Sequence, residues 1–326
     1  MTSWLVIGGG AAGCVAAARL SEVGSNDVVL LEAGSDHGEP LGSPGEPVLD
    51  RPTLVFPDTL VVRRPGLAPQ TYTQGFGLGG STLVNGGVVV GDPVVEAEGH
   101  ALPIAVSSGV GPVGAAVMAQ TADAGPVAHV RRDGRRVSVA DAYLRPVMGR
   151  TNLTVRCDAV VERIVFEGRR AVGVVTVGGD ELYADRVVVC AGAIATPVLL
   201  LRSGVDTPGV GAGLQDHLGV AISFDLRRPS PDGPAIGVTV QRPGRQIVVM
   251  DRLPERPEMG AVIAGRLAVE SEGRISLPDP EGPALVELNQ LASPRDLDGL
   301  VQVVQEAFDL LGRPGLQSVV GARYVD

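Results

Sequence analysis

Residues 4–7 form a short apolar run that meets three consecutive glycines, and the next ten positions are mostly small and apolar with a single arginine among them. That order predicts a strand over 4–7, a glycine turn, a helix over about 11–23 and, after a polar loop, a second strand over 28–32. Further on, the fifteen uncharged residues 187–201 contain Gly192 and Pro197. They are too short for a membrane span and predict a buried strand passing through a turn into a helix. Alternation of apolar and polar positions through 219–226, 245–253, 259–271 and 283–291 predicts an antiparallel sheet. The stretch from Ser293 predicts a helix with Ser293 as N-cap, Pro294 in the first turn and Gly312 as the stop. Its expected apolar face is Leu297, Leu300, Val301, Val304, Ala307, Phe308 and Leu311.

The opening strand, turn, helix and strand make a βαβ start whose turn carries Gly8, Gly10 and Gly13 in the G-x-G-x-x-G spacing. The first glycine permits the tight turn, the second lets backbone reach a pyrophosphate, and the third lets helix pack on strand. The helix start at Ala11 and Ala12 offers free N–H groups to phosphate. Glu32, followed by Ala33, closes the second strand where an acid can accept the two hydroxyls of an unphosphorylated ribose. A dinucleotide site follows, with NAD and FAD both open on this motif alone. Cys14, just inside the helix, is expected to be a small packing residue.

Composition narrows the classes. The chain has 326 residues, 44% hydrophobic and 20% charged, with a net charge of -10 and only 3% aromatics. Such an acidic chain repels nucleic-acid phosphate. All of its basic residues are arginine, so a lysine Schiff base or lysine general base is excluded. Cys14, Cys157 and Cys190 are odd in number and widely spaced, which argues against a disulfide framework or a zinc site and for a cytoplasmic setting. The N-terminus lacks the basic segment of an export signal. The acidic stretch 92–100 is expected to be a solvated loop and not a metal site, and the arginine-flanked turn 131–136 an exposed hairpin and not an anion site.

A second glycine-rich loop, "GFGLGGSTLVNGG" at 75–87, separates the cofactors. It resembles the first signature of the glucose-methanol-choline (GMC) family of flavin oxidoreductases. Other stretches are similar to that family in its own order: 135–155, with its R-R-V-S-V-A-D-A-Y-L; the hairpin 158–175; "AGAIATPVLLLRSGV" at 191–205; "PGVGAGLQDH" at 208–217; and the strand pair from Gly273. The resemblance implies an α/β fold, α+β overall: a Rossmann-like FAD-binding domain with a parallel sheet plus a smaller antiparallel-sheet substrate domain. The former takes 1–91 and 136–218 and the latter 92–135 and 219–326. It further implies that FAD is lined by Gly79, Gly80, Ser81, Thr82, Asn85, Gly86 and Gly87, by Val161 at the adenine, and by Ala191 and Gly192. Asn85 stands where some members carry a histidine bonded to the flavin, so FAD is expected to be non-covalent.

What the family does implies oxidation of a small-molecule alcohol by hydride transfer to flavin N5, with an electron acceptor as further partner. A lyase or cyclase that holds FAD without redox chemistry, or a catalytically degenerate FAD-binding protein, are the alternatives. The family's catalytic histidine and its His or Asn partner belong to motifs that follow the point where this sequence stops, so a truncated form, or one completed by a C-terminal partner, is expected. Four histidines remain as substitutes for the base. His37 is expected to be solvated, His100 and His129 to have surface roles, and His217, which Gln215 and Asp216 can hold, is the weak candidate.

Overall fold

The computed structural model describes residues 1–38, 52–57, 59–89, 102–106, 109–205, 207–230 and 235–325. Its four longest helical segments are α1 (Ala11–Leu20), α2 (Pro112–Met118), α3 (Gly192–Arg202) and α4 (Pro294–Gly312). The opening pattern folds as a parallel sheet of four strands in the order Leu153–Arg156, Asn26–Leu31, Thr2–Ile7, Arg186–Val189. Alternation sorts its side chains: Val6, Val28 and Leu30 pack with Cys14 and Ala17 of α1, while Leu5, Ile7 and Leu31 pack on the other face with Leu199 of α3 and with Ile164 and Val174. Those last two belong to the hairpin Val161–Glu167 and Arg170–Thr176. Helix α1 stops at Leu20, short of the expected residue 23. The Arg150 guanidinium donates to the Ala18 carbonyl and to Ser21 Oγ, and Asn152 donates to the carbonyls of Ser21 and Val23, so a separate segment takes the acceptors near the helix end.

The expected antiparallel sheet has six strands, in the order Val320–Val325, Leu218–Leu226, Met259–Arg266, Arg245–Met250, Ile236–Arg242, Ala124–Pro126. Helices α2 and α4 cover one face through Val113, Val117, Val303, Ala307, Leu310 and Leu311. The apolar face of α4 is therefore rotated from the expected one. Leu297 and Val301 are 47% and 59% exposed, while Val303 and Leu310 are buried. Ser293 stands at the N-cap, but its hydroxyl donates to Glu270 and caps nothing. Asp296, fully buried, instead takes the N–H groups of Glu270 and Ser271.

Leu285–Glu287 does not join the large sheet; it pairs with Gly273–Ser276, which pairs with Ala212–Leu214. A further strand, Ala128–Arg132, pairs with Val88–Val89 at the exit of the second glycine loop and with Ile104–Val106. These two small ladders tie the parallel-sheet half to the antiparallel half. Among the described residues no helix is long and apolar enough to cross a membrane.

Candidate functional site

At the carboxyl ends of the parallel strands, the two glycine-rich loops close on each other. The Gly79 N–H donates to the Gly9 carbonyl at 2.8 Å, and a Cβ on Gly80 would come 2.8 Å from the Gly10 Cα. A Cβ on Gly13 would overlap the Gly8 carbonyl oxygen, so α1 can start only from glycine there. Several of the glycines thus let chain approach chain. The hydroxyls of Ser81 and Thr82 serve the same closure: Ser81 Oγ accepts the Gly75 N–H, and Thr82 Oγ1 donates to the Gly79 carbonyl while accepting the Val139 N–H.

Two helix N-termini remain open beside this seam. Helix α1 starts at Ala11 with no side-chain cap and no acid in its first turn; Ala11 and Ala12 are exposed. Helix α3 starts at Gly192, also uncapped, with Gly192 and Ala193 exposed. The two starts are neighbours, since a Cβ on Gly8 would come 2.9 Å from the Ala191 Cα. Gly192 has φ +84° and nothing within 4 Å of where a Cβ would stand. Paired, uncapped helix starts present unsatisfied N–H groups and positive dipole ends to an anion. A diphosphate has the charge and the acceptors they need.

Glu32 is 6% exposed. Its Oε2 accepts the Gly9 N–H at 2.6 Å and its Oε1 the Gly34 N–H at 2.9 Å, and burial pushes the carboxyl upward against these bonds. The backbone of Gly77 and Ala33 also hydrogen-bonds this carboxylate, so both glycine-rich loops hold Glu32 at the place where the ribose is expected. Val161 begins its strand close by: the Ala159 N–H donates to the Glu32 carbonyl at 2.8 Å. Cys14 donates its S–H to the Gly9 carbonyl, and burial together with the Glu32 charge pushes the thiol up to about 12, leaving no nucleophile.

Asn85 and Gly87 end the second loop. Asn85 Oδ1 accepts the Gly87 N–H at 3.0 Å and one guanidinium N–H of Arg136 at 3.2 Å. The turn at 131–136 is a hairpin, but Arg136 is 1% exposed, so the expectation of a wholly exposed hairpin fails at that residue. Gly86 packs against Ile236, to which a Cβ would come within 3.3 Å.

The histidines depart from expectation. His37 is half-buried, and its Nε2 lies 3.2 Å from the Phe76 carbonyl, because Gly77 leaves room for the ring. His129 is fully buried; its Nε2 lies 2.9 Å from the Ile236 carbonyl, and burial pushes its pKa down. A surface role for His129 is therefore corrected. His100, with the acidic stretch 92–100, lies outside the described residues. His217 is 67% exposed at its side chain, with Nδ1 3.4 Å from Asp216 Oδ1. Asp216 Oδ2 accepts the Tyr72 hydroxyl at 3.1 Å, whereas Gln215 turns away to the Val269 carbonyl. Tyr72, which the sequence did not single out, thus anchors the carboxylate beside His217. A cleft of about 530 Å³ runs from Gly192 and Ala193 along α3 to Leu214 and Gln215.

Comparison with known proteins agrees with this architecture. Residues 112–219 match the model of the family described as GMC oxidoreductase, and residues 6–44 that of an NAD(P)-binding Rossmann-like domain. A GMC-type oxidoreductase of Rhodococcus erythropolis is 30% identical over 99% of this chain and 83% of its own length. That alignment runs over 418 positions against 326 residues here, so part of the relative's interior has no counterpart. Oxygen-dependent choline dehydrogenase of Escherichia coli is 29% identical over 72% of this chain, and the match spans 56% of that enzyme. Among solved structures, pyridoxine 4-oxidase from Mesorbium loti superposes with a TM-score of 0.86 at 22% identity, covering 99% of this chain and 83% of its own.

Proposed function

Because the chain belongs to the family of GMC oxidoreductases, whose cofactor is FAD, we propose that it is an FAD-dependent oxidoreductase that oxidises a small-molecule alcohol. The observation that carries this reading is the seam of two glycine loops flanked by the open starts of α1 and α3. Bound there without a covalent link, FAD supplies the electron sink that takes hydride from the alcohol carbon.

The roles of the chain follow from what each residue offers. The N–H groups at Ala11, Ala12 and Gly13, with those at Ala191 and Gly192, hold the diphosphate. Glu32, followed by Ala33, orients the ribose, and the backbone at Val161 borders the adenine. The loop from Gly79 to Gly87 supports the ring, with Asn85 as its polar contact. The division into an FAD-binding part (1–91, 136–218) and a substrate part (92–135, 219–326) is supported by the contrast between the parallel and the six-stranded sheet. The base that takes the hydroxyl proton is His217: of the described histidines its ring is the one in solvent, and Tyr72 and Asp216 hold it from behind. The cleft along α3, of a size that suits a small molecule, gives an alcohol its approach. An electron acceptor is the partner this reading adds. The three unpaired cysteines suit the cytoplasm.

The test is a visible spectrum of the purified chain after incubation with FAD and gel filtration, then anaerobic addition of an alcohol panel. Retained flavin that bleaches with an alcohol supports the reading, and the Tyr72→Phe and His217→Ala variants should slow the bleaching. A chain that emerges without flavin overturns it.

A further inference from the structure

The chain as a whole is acidic and rich in arginine, yet no side chain that lines the cleft of about 530 Å³ along α3 is charged, and none is aromatic. Its wall is aliphatic, made by Pro197 and Leu200 of α3 with Val210, Leu214 and Ile275. Apart from glycine and alanine, the rest of the lining is two polar side chains, Thr196 and Gln215. The charged residues beside it in sequence are taken up elsewhere. Arg202, two positions past Leu200, donates to the Gly282 carbonyl, and Asp216, next to Gln215, accepts the Tyr72 hydroxyl. Arg274 precedes Ile275, but successive residues of a strand face opposite sides, and here Ile275 is buried while Arg274 is exposed. A cation moved into this cleft gives up its hydration and gains neither a carboxylate nor an aromatic face in return. The start of α3, at the Gly192 end, turns a positive dipole end toward it as well. An anion would find N–H groups at that end, but these are the ones given above to the diphosphate. An uncharged aliphatic molecule loses little hydration and gains burial against the wall. Its single hydroxyl can bond at Thr196 or Gln215, and Gln215 is two residues from His217, the base assigned above.

Resting on the proposal that an alcohol approaches through this cleft, we infer that the substrate is an uncharged aliphatic alcohol, and that the wall at Leu200, Leu214 and Ile275 sets this specificity by excluding cations. The discrimination is a matter of desolvation. It acts on any ligand of the cleft, whether or not the ligand then reacts.

The experiment uses the full chain loaded with FAD and a matched pair of probes, choline and neohexyl alcohol, which carry a quaternary nitrogen and a quaternary carbon at the same place. A ligand-observed NMR titration reads the binding of each, and anaerobic bleaching of the flavin reads turnover. The uncharged probe is expected to bind more tightly by about tenfold or more, and to bleach the flavin faster. Leu200→Glu puts a carboxylate into the wall and should bring the two affinities to within about twofold of each other or reverse their order. Should Leu200→Glu not fold, Thr196→Glu, one turn earlier on α3, makes the same test. Equal binding of the two probes by the native chain, tighter binding of choline, or binding of neither overturns the inference. So does a preference that the added carboxylate leaves unchanged, because it would then arise outside the cleft. A native chain that holds no FAD removes the functional reading and this inference with it, whereas retained flavin that bleaches equally with both probes removes only the substrate class.

Discussion

The nucleotide end and the six-stranded sheet bury polar groups in opposite ways. At the nucleotide end the buried acid, Glu32, takes N–H groups from Gly9 and Gly34, at most 23 positions away, and each of its oxygens has one of them. In the six-stranded half the buried acid, Asp251, reaches Val113 and Gly114, up to 138 positions away, with Oδ1 alone. Its Oδ2 is buried with no partner among the described residues. The first arrangement spreads backbone donors from both glycine-rich loops over the two oxygens of one carboxylate. The second is a clasp between distant segments, holding the start of α2 on the sheet, and its cost falls on stability.

The contrast can be broken most sharply at Gly13. Replacing it by Ala drives a methyl into the Gly8 carbonyl, and overpacking against backbone is expected to cost about 3 kcal/mol or more. A urea titration reads the loss, and FAD uptake should vanish with it. A similar fall is expected from Leu311→Ala under the six-stranded sheet, about 2–5 kcal/mol for a fully buried leucine, while Leu297→Ala on the exposed side of α4 should stay within about 0.5 kcal/mol. If the two substitutions on α4 cost the same, the rotated face described above is wrong.

Glu32→Gln is smaller and more selective. One of its two ends must present an NH2 to a backbone N–H, leaving a buried donor unmatched at about 1–3 kcal/mol. FAD affinity, measured by quenching of flavin fluorescence, should drop beyond what unfolding accounts for. At the other end of the comparison, Asp251→Asn places an NH2 where Oδ2 lacks a partner and keeps Oδ1 for Val113 and Gly114. Burial raises the Asp251 carboxyl above its ordinary 3.8, so its contribution to stability is full below that value and is lost as pH rises through the raised folded value. The variant should therefore show a flatter stability profile from pH 3.8 upward. A profile as steep as the native one would mean that Asp251 is not the group that titrates.

Much of the first region was legible before folding. The spacing of Gly8, Gly10 and Gly13 and the acid at Glu32 express contacts within a single βαβ unit, where chain geometry leaves little choice. The histidines were not legible. His129 reads as a surface residue because nothing beside it in the sequence orients an imidazole, yet it is fully buried with its Nε2 against the Ile236 carbonyl, 107 positions away. Tyr72 behind Asp216, and the arginine turned inward from a charged hairpin, carry no local signal at all.

By itself the sequence determined the strand-turn-helix start, the second glycine loop and the family they resemble, because these depend on backbone conformations that few residues other than glycine adopt. Tertiary structure decided how the two loops close on each other, which face of α4 is buried, and which charged side chains are drawn inside. Those outcomes depend on which distant segment arrives opposite each residue. Hydrophobic burial carries a polar side chain inward wherever its neighbours must go, and the partner that makes this tolerable is chosen by the fold and not by the residues beside it in the chain.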